Sequence, residues 1–99
     1  MAFTVVWSPR AVDDIDAIAA YIAEDSEAYA ASVVRVILAK ARNLAEFPFV
    51  GRLVPEFDDA SVREVFAYSY RIIYGIADDT VTIATVVHGR RLLDLAIDP

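Results

Sequence analysis

Apolar positions along this chain recur with two different periods, and the change of period divides it into elements. Phe3 to Trp7 is a short apolar run with β-branched residues, which predicts a first strand. Ser8-Pro9 reads as a helix start, with Ser8 as N-cap and Pro9 at the first helical position. Ala11, Ile15, Ile18, Ala19 and Ile22 then follow at three- and four-residue steps, predicting a helix that ends near Glu24. Asp13, Asp14 and Asp16 lie in its early turns, where a helix tolerates negative charge, and read as a solvated face. Asp25-Ser26-Glu27 is a break and a second cap. A longer helix runs from there to about Phe47, with its stripe at Ala30, Val33, Val34, Ile37, Ala41 and Leu44. Arg35, Arg42, Asn43 and Glu46 fall largely outside that stripe, and Pro48 stops the helix. So short a connection makes the two helices an antiparallel hairpin.

After the helices the period falls to two. Phe49 to Ala60, with Gly51, Pro55 and Asp58-Asp59, reads as a structured loop anchored by Phe49, Leu53 and Phe57. Val62 to Phe66, Tyr70 to Ala77 and Thr80 to His88 read as strands, the last two joined at Asp78-Asp79. The predicted order is β-α-α-β-β-β in a single domain, residues 1–99. This is an α+β fold, with a helical hairpin on one face of a mostly antiparallel sheet. Strict alternation puts Tyr70, Ile72, Tyr74 and Ile76 on one face of the third strand, and Val81, Ile83, Thr85 and Val87 on one face of the fourth. If these apolar sets face the helices, Arg71 and His88 share the opposite face. Arg63 can join them, although Val62, Glu64 and Phe66 form a mixed set.

Composition narrows the function. The chain has 99 residues, 58% hydrophobic, which excludes disorder and suggests an exposed apolar partner surface. A net charge of −6 disfavours bulk attraction to nucleic acid or an anionic membrane. With no cysteine there is no disulfide, thiolate nucleophile or zinc–thiolate site. No apolar run approaches the roughly 18 residues that span a bilayer, and no secretory signal opens the chain. The expectation is a soluble cytoplasmic protein.

Against that acidic background, Arg63, Arg71, His88, Arg90 and Arg91 gather in the last third. Arginine offers planar paired donors to phosphate or carboxylate. His88, the only histidine, is the residue that titrates near neutrality unaided. The alternatives are a sheet face that is simply solvated and a histidine that is simply hydrogen-bonded. No second histidine or cysteine supports a metal. No serine lies in a Gly-x-Ser-x-Gly setting, and there is no phosphate-binding glycine loop, so no cofactor is implied.

Trp7-Ser8-Pro9 with Ala11, Ile18 and Tyr21-Ile22 resembles the opening of the ParE branch of the RelE/ParE toxin superfamily. Phe47-Pro48 to Gly51-Arg52, Val62-Arg63-Glu64, Tyr70-Arg71-Ile72-Ile73-Tyr74 and Val87-His88-Gly89-Arg90-Arg91 continue the resemblance in order, over roughly residues 3 to 93. It implies the same β-α-α-β-β-β fold and a type II toxin neutralised by a ParD-like antitoxin, which wraps it with an extended and helical segment. It also implies one of two activities: RelE-like members cleave messenger RNA in the ribosome, and ParE-like members inhibit DNA gyrase. Arg71 matches the nuclease pattern's central strand arginine, Arg91 its arginine after the last strand, and Arg63 roughly its first basic position. The second lysine position falls near Val65 and the tyrosine near Ile97, neither of which can do that work. A related nuclease branch ends the strand in His-Tyr, whereas here Gly89 follows His88. The resemblance therefore favours a gyrase inhibitor, with Arg71, His88, Arg90, Arg91 and the tail as its partner-binding surface. The alternative is a ribosome-dependent endoribonuclease, with Arg63, Arg71 and Arg91 around the phosphate and His88 as acid or base. A further alternative is a silent member that only binds its antitoxin.

Overall fold

Two serines set the helices. The Ser8 hydroxyl oxygen accepts from the Ala11 amide at 3.0 Å and starts α1 (Pro9–Ala23), while its O–H donates to the Ala84 carbonyl at 2.8 Å. Ser26 accepts from the Tyr29 amide at 3.1 Å and starts α2 (Glu27–Asn43). The expected run to Phe47 stops short. Leu44, Ala45 and Glu46 each bond three residues back, so the helix tightens into turns while the apolar period continues through fully buried Leu44.

The computed structural model describes residues 2–90, so Arg91 and the tail to Pro99, including Ile97, lie outside the described residues. The strands are β1 (Thr4–Trp7), β2 (Arg52–Leu53), β3 (Val62–Ala67), β4 (Tyr70–Ala77) and β5 (Thr80–His88). They form one five-stranded sheet in the order β1-β5-β4-β3-β2. β1 runs parallel to β5 and every other pairing is antiparallel. The expected architecture is present, with β2 added. A two-residue strand is too short to show alternation, which is why the sequence reads as loop there. The loop's anchors also differ from expectation. Phe49 and Leu53 are 59% and 53% exposed, and Val54 is the buried residue.

The helical hairpin packs Ala11, Ile22, Val33, Ile37 and Leu44 against Ile72, Tyr74, Val81, Ile83 and Val86. The opposite sheet face is also covered: Val54, Val62, Ile73 and Val87 form a second cluster, with Phe57 against it. Burial on both faces explains the poor alternation of β3.

One irregularity decides the facing of β5. Ile73 lies opposite Thr85 and Tyr74 opposite Ile83, which leaves Ala84 without a partner across the ladder. This β-bulge shifts the strand's alternation by one residue. Val81 and Ile83 face the helices as expected, but beyond the bulge Val86 and His88 take that face instead of Val87. The expectation that Arg71 and His88 share a face is therefore corrected: His88 pairs with Tyr70, and Arg71 pairs with Val87. Asp14 corrects another expectation. Its carboxylate accepts hydrogen bonds from the Thr85 hydroxyl and, at 3.0 Å, from the Val86 amide, so it clamps α1 to the bulge and is not merely solvated.

Tyr74 holds the loop before β2. Its phenol donates to the Pro48 carbonyl at 2.8 Å and accepts from the Gly51 amide at 3.0 Å. A Cβ on Gly51 would collide with the Tyr74 hydroxyl and lie 2.6 Å from the Glu64 carbonyl, so only glycine admits this approach. Burial raises the Tyr74 phenol above its ordinary value of 10.0, against the opposing effects of the Gly51 amide and Arg63. Because the native state favours the neutral phenol, its contribution is complete below pH 10 and is lost as pH rises through the raised folded value. Tyr74→Phe, which orphans the buried Gly51 amide, is expected to cost about 1–3 kcal/mol in urea melts at pH 7. The wild type's alkaline loss of stability is expected to shrink in the variant.

Candidate functional site

The chemistry-bearing residues divide between the two faces of the sheet. On the face away from the helices, Arg71 is 4% exposed and Glu64 1%. The Arg71 Nε donates to Glu64 at 2.7 Å, and its two terminal nitrogens grip Glu56 side-on at 2.8 and 2.7 Å. Arg52 closes the chain of charges through Nε to the other Glu64 oxygen at 2.5 Å. Glu56, and less strongly Glu64, raise the Arg71 pKa further above its ordinary value, with burial opposing them. Two arginines and two carboxylates sum to zero formal charge, so the central strand arginine is internally neutralised.

Arg63 is likewise committed to the fold. Its Nη1 donates to the Gly51 carbonyl at 3.0 Å and its Nε to the Ala60 carbonyl at 3.2 Å, with the guanidinium 5.4 Å over the Phe49 ring. Val65, at the position matching a lysine, packs half-buried against the helical core. Gly89 donates its amide to the Ser69 carbonyl at 2.6 Å. A Cβ there would lie 3.0 Å from that oxygen and 3.2 Å from the Phe66 ring, so a His-Tyr ending would need these neighbours to give by a few tenths of an ångström.

On the helix face, exposed His88 stacks edge-on against Tyr70, with ring centroids 5.7 Å apart at 77°. Its Nδ1 accepts from the Arg90 amide at 3.2 Å, which places the neutral ring's proton on Nε2. Tyr21 and Tyr29 approach from the helical hairpin, and Tyr68 from the β3–β4 turn. The Tyr29 and Tyr68 rings lie edge to face at 6.0 Å. Burial raises the Tyr70 phenol, with further contributions from Tyr21 and Tyr29. Arg90 is exposed beside this end of the sheet.

Of the residues singled out from sequence, then, Arg63 and Arg71 build the loop-covered face and His88 looks the other way. Sequence reasoning missed Glu56, Glu64 and the tyrosines. Glu64 carried a usable signal, because a carboxylate inside the apolar set Val62, Glu64, Phe66 calls for a buried partner. Glu56 carried none, since it reaches Arg71 from an irregular loop. Among the described residues no group of histidines and carboxylates is arranged to hold a metal ion, and no helix is long and apolar enough to cross a membrane.

Removing one partner from a buried ion pair leaves the other charge unpaired. Arg71→Ala is expected to destabilise the chain by about 3–5 kcal/mol in urea melts. Arg90→Ala is expected to stay within about 0.5 kcal/mol of wild type. Arg71→Lys should recover only part of the loss, because an ammonium cannot fork onto Glu56 while also reaching Glu64.

The same arrangement of helices and sheet recurs in known toxins. The family model for the ParE toxin of the type II toxin–antitoxin system parDE matches residues 5–93. The chain is 38% identical over 89 residues to Toxin RelE2 of Caulobacter vibrioides, covering 89% of this chain and 97% of that protein. Among solved structures, a chain of the chromosomal ParDE system from P. aeruginosa superposes with a TM-score of 0.72 at 18% identity, covering 88% of this chain and 96% of that one. The toxin–antitoxin complex RelBE2 from Mycobacterium tuberculosis gives 0.65 at 23% identity, covering 89% and 99%. A mutant of E. coli toxin RelE in the free state gives 0.64 at 19% identity, covering 91% and 86%. These structures share the fold, and the family match over nearly the whole chain carries the assignment: the protein belongs to the ParE toxin family of type II toxin–antitoxin systems.

Proposed function

We propose that this chain is a toxin that acts as a protein inhibitor of DNA gyrase and is held inactive by a cognate ParD-like antitoxin. The observation that carries the reading is the state of Arg71. Cleavage at a 2′-OH needs cationic stabilisation of one phosphate and proton transfer beside it. Here the central arginine is buried and neutralised by Glu56 and Glu64, and His88 lies on the other side of the sheet. A chain of net charge −6 adds no general attraction to ribosomal RNA. What remains exposed is apolar surface and sheet edge, which suits protein partners.

The antitoxin has a surface of the right kind. Ala19, Ala23, Ala30, Val34 and Leu38 line an open apolar groove between the helices, and Trp7, Val12 and Ile15 extend it past Leu38. An amphipathic helix fits such a groove. Among the described residues β1 and β2 are the two edges of the sheet, which suits strand addition by an extended segment.

The nuclease reading has its own support in the name of the 38%-identical relative, Toxin RelE2, and in the exposure of His88 beside Tyr70. Purified protein added to a gyrase supercoiling reaction and to a translating extract separates the two. Loss of supercoiling with messages left intact is the expected result. Message cleavage that disappears in His88→Ala would overturn the inhibitor reading, and absence of both effects together with no growth arrest would indicate a silent antitoxin-binding member.

A further inference from the structure

The tyrosine recess is unexplained by the helical core, by the ion network or by the apolar groove. It opens between the α1–α2 turn and the β3–β4 turn, where Tyr21, Tyr29, Tyr68, Tyr70, His88 and Asp25 meet around a space of about 260 Å³. Tyr21, Tyr29 and Tyr68 are 72%, 51% and 54% exposed. Aromatic rings of this size are ordinarily buried or engaged with a partner. The volume is below the roughly 300–1,000 Å³ of sites for drug-sized ligands, so it suits one inserted side chain.

The electrostatics choose the sign of that side chain. α1 ends at the recess, and no basic residue lies in its last turn to meet the partial negative charge of its terminal carbonyls. Glu24, Asp25 and Glu27 add carboxylates at the same turn, and among the described residues no lysine or arginine lines the space. Tyrosine faces are themselves electronegative. A phosphate-bearing nucleotide would meet these carboxylates, and among the described residues no cation lines the space to hold it.

The backbone gives a separate indication. Tyr68 sits at φ 53°, a region that a bulky side chain enters only against steric resistance. Glycine would make this turn without strain. What tyrosine adds at this position is a ring set against Tyr29 at the mouth of the recess.

We propose that this recess binds an arginine side chain presented by a partner polypeptide, the planar guanidinium stacking on the tyrosines and bonding to Asp25. Arginine fits better than lysine because its flat, weakly hydrated cation stacks on rings and forks onto a carboxylate. The site lies on the helix face, away from the Arg71 network, and it does not depend on whether the toxin's target is gyrase or the ribosome.

The test is a titration of the full chain followed by NMR of the tyrosine and histidine rings. The probe is N-acetyl-arginine methylamide, with the citrulline analogue of equal shape and no charge as its control. Saturable shifts at Tyr21, Tyr29, Tyr68 and His88 are expected, with citrulline weaker by roughly threefold to thirtyfold. Asp25→Asn should weaken the arginine probe alone. Tyr68→Gly should leave thermal stability unchanged or raised, because it relieves the backbone, while reducing arginine binding. Equal affinity for citrulline, absence of saturable shifts at these rings, or full binding in Tyr68→Gly and Asp25→Asn would each overturn the proposal. Saturable binding of uridine monophosphate in place of arginine would overturn it in favour of a base-stacking platform.

Discussion

A single unpaired residue, Ala84, determines which chemistry appears on which face of this protein. Had β5 run without its bulge, Val86, Val87 and His88 would each point the other way. Val87 would meet the helices, and His88 would stand beside Arg71 in an arrangement with the makings of a phosphate site. The bulge instead returns Val86 to the helical core, gives Val87 to the second cluster and turns His88 toward Tyr70. It is held from two points on one helix: the Ser8 hydroxyl on the Ala84 carbonyl, and the Asp14 carboxylate on Thr85 and Val86. The residues that start α1 thus also fix the end of the last strand.

The consequence on the far face is a closed electrostatic unit. Glu64 is fully buried and needs a partner; Arg71 and Arg52 supply it, and the loop carrying Glu56 folds over to complete the set. A domain with a net stability of about 5–15 kcal/mol cannot lightly lose one of these charges, since an uncompensated buried partner takes about 3–5 kcal/mol of it. Arg71 is accordingly a residue whose replacement tests folding before it tests toxicity. The same loop is anchored by Tyr74 through Pro48 and Gly51 and by Arg63 through Gly51, so these side chains close the loop over this face.

Much of this was legible in the residues. Ser8-Pro9 and Ser26 mark the caps they form, the helical stripes contain the core, and the boundaries of β4 and β5 follow the alternation and the Asp78-Asp79 turn, where Asp78 adopts the positive φ that aspartate tolerates. What escaped had physical reasons. A bulge needs no special residue type, and Ala84 looks like any small strand residue. Asp14 sits among other helical aspartates, and nothing local distinguishes the one that reaches 72 residues along the chain to Val86. The ion network joins residues from a loop and three strands, and the tyrosine recess joins two helices and two strands, so neither has a sequence motif.

The facing of His88 is the point on which the account turns, and ring-to-ring nuclear Overhauser contacts in the intact protein measure it directly. Cross-peaks from the His88 imidazole to the Tyr70 ring, and none to the Arg71 side chain or the Phe66 ring, are the predicted result. Cross-peaks from His88 to Arg71 or Phe66 in place of Tyr70 would mean that β5 runs without the bulge. The two faces would then hold a single shared site, contradicting the separation described above.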